Sequence, residues 1–126
     1  MEFVKCNHCG NIVAYVKNKG VRVSCCGEPM RALIPNSEEA SVEKHVPVYY
    51  KDGKYLVVEV SDVKHPMEEH HYIEWVALVT KHGNQRKVLE PNMEPVVRFL
   101  VEEDDEVLEL YAYCNLHGLW KGKSKE

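Results

Sequence analysis

Four cysteines near the start of the chain set the strongest limit on how it can fold. They form the pattern CNHC, followed after residues 10–24 by an adjacent pair, and comprise Cys6, Cys9, Cys25 and Cys26. A segment of roughly 35 residues has too small a core to fold alone, so a metal ion bound by all four thiolates would stabilise it directly. Four thiolates in a tetrahedron suit either zinc or a single iron ion. The sequence therefore predicts a small metal-bound N-terminal unit.

The composition of the whole chain excludes several classes of protein. With 126 residues, 44% of them hydrophobic and 29% charged, the chain is typical of a globular protein of one domain with a small satellite. No apolar run approaches the roughly 18 residues that cross a bilayer, and residues 1–10 contain no signal-peptide core. We therefore expect a cytoplasmic protein without a membrane partner. The net charge of −4 and the absence of a basic stripe argue against nucleic acid as a partner.

Alternating apolar residues predict a mainly β fold. Two short alternating runs around the turn NKG (18–20) predict a β-hairpin within the N-terminal unit. The stretch 34–41 has no apolar periodicity and is interpreted as a linker, which gives domains of residues 1–36 and 37–126. Beyond the linker, short alternating runs separated by turns predict an immunoglobulin-like antiparallel β-sandwich with no long helix.

The run EVLELYAYC (106–114) places four residues on one face at a period of two. These residues, which we expect to face the core, are Leu108, Leu110, Ala112 and Cys114. The acidic run just before it, EEDDE (102–106), lacks the glycine and the distant glutamate of a calcium-binding loop, and is interpreted as a solvated turn.

A second set of metal-binding side chains is spread over the stretches EKHVP (43–47), HPMEEHHYIEW (65–75) and YCNLHGLWK (113–121). Each histidine alone is more typical of an ordinary surface or core residue. Together the stretches offer His45, His65, His70 or His71, Cys114 and His117. Five ligands exceed the four of a structural zinc site, whereas around iron they would leave a sixth octahedral position open. The odd number of cysteines in the chain also favours metal binding over disulfides.

These motifs, taken in order along the chain, resemble those of the desulfoferrodoxins, the two-iron class of superoxide reductases. The resemblance extends over essentially the whole sequence. Its first part is similar to desulforedoxin, a small rubredoxin-like iron module, and its second part to neelaredoxin. The resemblance implies two iron ions, of which the first can be replaced by zinc in some preparations.

The same resemblance implies roles for individual residues. The first iron would be bound by Cys6, Cys9, Cys25 and Cys26. The second would be bound by His45, His65, His71 and His117, with Cys114 as its axial ligand. His71 is preferred to His70 because the family pattern is H-P-M, three residues, then H-x-I-E-W. Glu43 and Lys44 match a catalytic pair beside the open position, whereas His8, His70 and His82 match no functional residue.

The implied reaction is the one-electron reduction of superoxide to hydrogen peroxide, with two protons taken up and no oxygen released. Lys44 would attract the anionic substrate, and the carboxylate of Glu43 would fill the open position of the ferric, resting iron. The resemblance further implies rubredoxin or a similar protein as electron donor, and a homodimer.

Two other functions compete with this interpretation. A blue-copper electron-transfer protein would use two histidines, one cysteine and a methionine shortly after the last histidine, but CNLHGLWKGKSKE contains no methionine. A zinc-ribbon binding module would use only the N-terminal unit and would leave the second set of ligands without a role.

Overall fold

The computed structural model describes residues 1–125 and contains two compact units, Met1–Ile34 and a second that begins at Pro35. The first unit contains β1 (Phe3–Lys5), β2 (Ile12–Ala14), β3 (Ser24–Cys25), β4 (Glu28–Pro29) and β5 (Arg31–Ala32). The second contains α1 (Val42–His45), β6 (Val48–Asp52), β7 (Tyr55–Glu59), β8 (Ile73–Thr80), β9 (Gly83–Val88), β10 (Val96–Leu100), β11 (Val107–Cys114), β12 (Gly118–Lys121) and β13 (Lys123–Ser124). The predicted mainly β fold is confirmed. Within residues 1–125 the helix has four residues, too few to cross a membrane.

The first unit pairs its strands differently from the sequence prediction. Strand β1 lies between β2 and β5 in an antiparallel sheet, and β3 pairs with β4 in a separate hairpin. The hairpin predicted around residues 18–20 is therefore wrong, although Gly20 does adopt a positive φ of 87°. The turn after Cys6 brings β2 back against β1, with Val4 opposite Val13.

The second unit is a sandwich of two four-stranded sheets. Their strand orders are β10-β7-β6-β13 and β12-β11-β8-β9, and every pair is antiparallel except β13 with β6, which is parallel. The inner faces of both sheets contribute buried apolar side chains to one core, among them Leu56, Val58, Val76, Leu78, Phe99, Leu110 and Ala112. Alternation along each strand produces this arrangement, since successive side chains point to opposite faces.

Strand β11 departs from its predicted pattern at one residue. Leu110, Ala112 and Cys114 are buried in the core as expected, but Leu108 is 54% exposed. The register between β11 and β8 shifts between Val107 and Glu109, which leaves Leu108 as an extra residue in a β-bulge. A bulge reverses the alternation locally, so the prediction for Leu108 is wrong and Val107 packs against the core in its place.

Candidate metal centres

The first cluster begins with a tight turn at the end of β1. The backbone N–H groups of His8 and Cys9 point at the sulfur of Cys6, at 3.4 and 3.5 Å. The N–H of Asn11 points at the sulfur of Cys9 in the same way, at 3.5 Å. Gly10 has a φ of 84°, a value that favours glycine and allows the chain to double back there. The turn thus directs both thiols of CNHC to one side.

The adjacent pair Cys25-Cys26 lies in the hairpin between β3 and β4. Cys25 pairs with Glu28, and the two residues between them, Cys26 and Gly27, have φ values of 52° and 77°. Positive φ at both central residues is the signature of a type I′ turn. This turn brings two consecutive thiols to one point, which an extended strand could not do because its side chains alternate. Gly27, directly after the pair, was the available sequence signal, and our sequence analysis did not use it.

The four thiols lie close enough to bind one metal ion. All four sulfurs are within 4.8 Å of one another, with 3.6 Å between Cys9 and Cys25 and 4.0 Å between Cys25 and Cys26. A tetrahedral metal with bonds of about 2.3 Å to sulfur would hold neighbouring sulfurs about 3.8 Å apart. A disulfide would need about 2.05 Å, and all four cysteines are free. The spacing fits a four-thiolate metal site.

The thiols of this cluster resist losing all their protons together. Hydrogen bonds, chiefly from the N–H of Cys9, lower the pKa of Cys6 to about 6. The pKa of Cys26 is instead raised to about 12, mainly by its hydrogen bond with the sulfur of Cys6, and that of Cys25 is also raised, first by Cys9. A bound cation would remove this conflict, because metal ligation deprotonates a thiol outright.

The second cluster draws its ligands from four separate parts of the second unit. His45 ends α1, and His65 and His71 lie in the connection between β7 and β8. Cys114 ends β11, and His117 lies in the turn before β12. The ligand atoms of His45, His65, His71 and Cys114 are all within 4.8 Å of one another, and Nδ1 of His117 is 3.9 Å from the sulfur of Cys114.

The four imidazole rings form a square. Neighbouring ring centres are 4.6 Å apart for His45 and His65, 4.7 Å for His65 and His71, 5.1 Å for His71 and His117, and 4.8 Å for His117 and His45. His45 and His71 are 6.2 Å apart and lie across the square. Nε2 of His45 is 3.1 Å from Nε2 of His65 and 3.0 Å from Nδ1 of His117. Adjacent corners around a metal with bonds of about 2.1 Å would be about 3.0 Å apart.

The hydrogen bonds of the rings show which nitrogens face the centre of the square. Nδ1 of His45 donates to the carbonyl of Ser41 at 2.7 Å, and Nδ1 of His65 donates to the carbonyl of Pro66 at 2.6 Å. In neutral imidazoles the two Nε2 atoms are then both lone-pair acceptors, and at 3.1 Å they repel unless a cation lies between them. Nε2 of His71 is buried without a hydrogen-bond partner among the described residues. These donors fit a metal ion.

Burial disfavours the protonated form of three of these rings, and metal ligation requires neutral imidazoles. Burial lowers the pKa of His65 to about 4, and it is also the largest cause of the lowered pKa values of His45 and His71. The positive charge of Lys44 lowers the pKa of both His45 and His71 further. The negative charge of Glu68 acts to raise the pKa of His71. Our sequence analysis did not identify Glu68 as part of the site.

Cys114 lies next to the square of rings, inside the hydrophobic core. It is fully buried, and burial raises the pKa of its thiol. Hydrogen bonds from the backbone of His117 and Leu116 lower the same pKa. The turn that follows Cys114 therefore directs N–H groups back at its sulfur, which would stabilise a thiolate.

The predicted pair Glu43 and Lys44 lies on α1 directly before His45, and both side chains are exposed. The carbonyl of Glu43 accepts hydrogen bonds from the hydroxyl of Ser61 at 2.6 Å and from the N–H of Val63 at 3.0 Å. These bonds attach α1 to the segment that leads to His65. Ser61 is therefore a contributor to the site that our sequence analysis missed, since nothing in its local sequence marks it.

Trp120 is a second contributor that our sequence analysis missed. It is buried and stacks on His45 with ring centres 4.9 Å apart, and its Nε1 donates to the carbonyl of His117 at 3.0 Å. It thus contacts two ligands at once.

The remaining histidines lie outside both clusters. His8 is paired with Glu28 at 3.0 Å, and His70 is exposed. His82 lies beside exposed carboxylates of the acidic turn, with its Nδ1 3.7 Å from Asp105.

Comparison with known proteins identifies relatives of both units. Two family models match: Desulfoferrodoxin over residues 37–123, and Desulfoferrodoxin, N-terminal domain, over residues 1–33. The desulfoferrodoxin of Nitratidesulfovibrio vulgaris is 42% identical over 123 residues, which cover 98% of this chain and 96% of that protein. The desulfoferrodoxin homolog of Archaeoglobus fulgidus is 42% identical over 121 residues, covering 96% and 95%. The crystal structure of the superoxide reductase from Treponema pallidum matches with a TM-score of 0.81 and 39% identity, covering 96% of this chain and 98% of that one.

Proposed function

We propose that this chain, which belongs to the desulfoferrodoxin family, is a superoxide reductase with two iron centres. It reduces superoxide by one electron to hydrogen peroxide, takes up two protons and releases no oxygen. The square of imidazoles next to a buried cysteine carries this proposal. Four neutral rings and one thiolate suit iron, and they leave one octahedral position for a small substrate.

We assign the ligands as follows. The first iron would be bound by Cys6, Cys9, Cys25 and Cys26, with zinc as an alternative in some preparations. The second would be bound by His45, His65, His71, Cys114 and His117. Iron in the second site would supply the electron by changing between its ferrous and ferric states. The carbonyls of Ser41 and Pro66 hold two of the rings in the required tautomer, so these ligands need no reorientation.

Lys44 and Glu43 are proposed to act at the entrance of the second site. The charge of Lys44 acts on His45 and His71, so an anion that approaches these rings meets a favourable potential in an otherwise acidic protein. Water ordered by the exposed ammonium group can deliver the two protons. We assign to Glu43, whose exposed side chain lies close in sequence to the ligand His45, the role of a carboxylate ligand in the ferric resting state.

Turnover needs an electron from another protein, for which we propose rubredoxin or a similar donor. We also propose a homodimer with a cytoplasmic location, where a reducing environment keeps the five cysteines available for metals. Residues 1–36 and 37–126 would act as the four-cysteine domain and the catalytic domain.

The stoichiometry of the reaction tests this function. Iron-loaded, reduced protein is exposed to a pulse of superoxide while hydrogen peroxide, oxygen and the visible spectrum are followed. A reductase should form one hydrogen peroxide for each superoxide and oxidise one ferrous centre each time. Release of oxygen, with half as much peroxide, would identify a dismutase and contradict the proposal.

A further inference from the structure

We propose that Asn115 is a positioning residue of the second metal centre, because its amide ties the segment that carries His71 to the turn that carries Cys114 and His117. The inference rests on the proposed iron site, and it concerns how one ligand is held at that site. Asn115 itself is half-buried and is not one of the ligands.

Three hydrogen bonds link Asn115 to the residues on both sides of His71. The side-chain oxygen accepts from the N–H of Tyr72 at 3.0 Å, and the side-chain NH₂ donates to the carbonyl of His70 at 3.0 Å. The backbone N–H of Asn115 donates to the carbonyl of Tyr72 at 3.2 Å. One residue thus holds the main chain immediately before and immediately after His71.

Asn115 lies where a sheet ends, which explains why its side chain and not only its backbone makes these hydrogen bonds. The ladder between β8 and β11 ends with Ile73 opposite Cys114, so the next pair would be Tyr72 opposite Asn115. Asn115 makes one bond of that pair with its backbone, but its side-chain oxygen replaces the backbone carbonyl in the other. The main chain is therefore able to turn after Cys114, and His117 returns to within 3.9 Å of the sulfur.

Asparagine suits this position because its short side chain carries both an acceptor and a donor. Aspartate would keep the acceptor for Tyr72 but would face the carbonyl of His70 with a second oxygen. Alanine would remove both bonds. The rings of His45 and His65 are oriented directly by carbonyls, at Ser41 and Pro66, whereas Asn115 acts on the backbone on both sides of His71.

The backbone of His71 has one further anchor. It exchanges two hydrogen bonds with Glu68, at 2.9 and 3.1 Å, within the same connection between β7 and β8. These bonds shape the connection locally but do not reach the turn after β11. Asn115 supplies the link across to that turn, and thereby sets how far His71 lies from Cys114 and His117.

The variants Asn115→Ala and Asn115→Asp test this role in the full-length, iron-loaded protein. Iron loss from the second site to a ferrous chelator is followed by its visible absorption, together with the rhombic splitting of the ferric electron paramagnetic resonance signal. Removing an outer-shell partner of a metal ligand commonly weakens a site about 10- to 100-fold, so we expect iron loss to accelerate by about that factor in Asn115→Ala. Asn115→Asp should accelerate it by at least about threefold, and both variants should change the ferric signal.

Gln85→Ala is the matched control. The side-chain NH₂ of the half-buried Gln85 also donates to a backbone carbonyl, that of Leu100 at 2.8 Å. This bond joins β9 to the end of β10 and goes to no segment that carries a ligand, so this variant should release iron like the parent even if it unfolds more easily. Iron loss within about twofold of the parent in both Asn115 variants, or an equal acceleration in Gln85→Ala, would overturn the inference. A parent protein that binds no iron at the second site would overturn the proposed function itself.

Discussion

The two metal clusters differ in how far the surrounding unit can fold without its metal. The first takes its four thiols from residues 6–26, in a unit whose buried apolar residues are Phe3, Val4 and Cys6 among those described. The second takes its ligands from residues 45–117, in a sandwich with a core of its own. In the first unit a metal would replace the missing core, whereas in the second the core exists independently and orients the ligands. We therefore expect the first unit to fold only with its metal, and the second unit to fold without its metal and then bind it.

Removal of the first metal should have the largest effect. We expect Cys9→Ser to lose the first metal and to unfold residues 1–34, because so little apolar surface is buried there. The second unit should keep its iron and most of its superoxide reduction. Metal analysis and amide hydrogen exchange measure both outcomes. His8→Ala is the control, since the exposed imidazole of His8 pairs with Glu28 at the surface and alanine keeps the backbone N–H that points at the sulfur of Cys6. Complete loss of activity in a folded Cys9→Ser protein would show that the first iron is required.

Removal of a ligand from the second metal should have the opposite structural result. We expect His71→Ala to lose the second iron while the sandwich stays folded, because the core does not depend on the metal. The buried Nε2 of His71 faces the site, whereas His70 is exposed, so His70→Ala should retain iron. Metal content and circular dichroism check this pair. Iron loss in His70→Ala instead would show that the motif is misaligned by one residue.

A smaller effect is expected from the charge near the second site. Lys44→Ala should slow the encounter of superoxide with the reduced protein by roughly ten- to a hundredfold at low salt. Added salt should slow the parent and affect the variant less, since screening acts on the charge that the variant lacks. Pulse radiolysis over a salt series measures both rates.

Lys64→Ala is the control for that charge, because Lys64 is exposed but paired with Glu94 at 2.7 Å. It should react like the parent. An unchanged rate in Lys44→Ala at low salt would mean that Lys44 does not attract the substrate.

The smallest change in rate should come from Glu43. Since a carboxylate does not attract an anion, Glu43→Ala should keep the encounter rate within about twofold of the parent. Its effect should appear in the visible spectrum of the oxidised protein, where water or hydroxide would replace the carboxylate. Glu69→Ala, which removes another exposed carboxylate from the connection between β7 and β8, should leave that spectrum unchanged. A ferric spectrum unaffected by Glu43→Ala would exclude Glu43 as a ligand.

The residue types and their spacing were enough to indicate most of the chemistry. Thiols and imidazoles are the side chains that most often bind zinc or iron, so CNHC, the adjacent cysteines and the scattered histidines identified candidate ligands without a fold. Alternation was enough to predict strands, because it follows from the backbone of a single strand. Its limit appears at Leu108, where a bulge that depends on the partner strand reversed the expected face.

Contacts between distant parts of the chain decided the rest. Strand β1 also pairs with β5, at the other end of the first unit, and alternation does not predict this pairing. The nitrogen that each ring presents depends on carbonyls such as that of Ser41, and the position of His71 opposite His45 depends on two connections meeting at one end of the sandwich. Asn115 and Trp120 act through partners far away in the sequence. Hydrogen bonds and packing of this kind depend on which strands pair and in what register, so the local sequence identified the ligands and the tertiary structure determined how they are held.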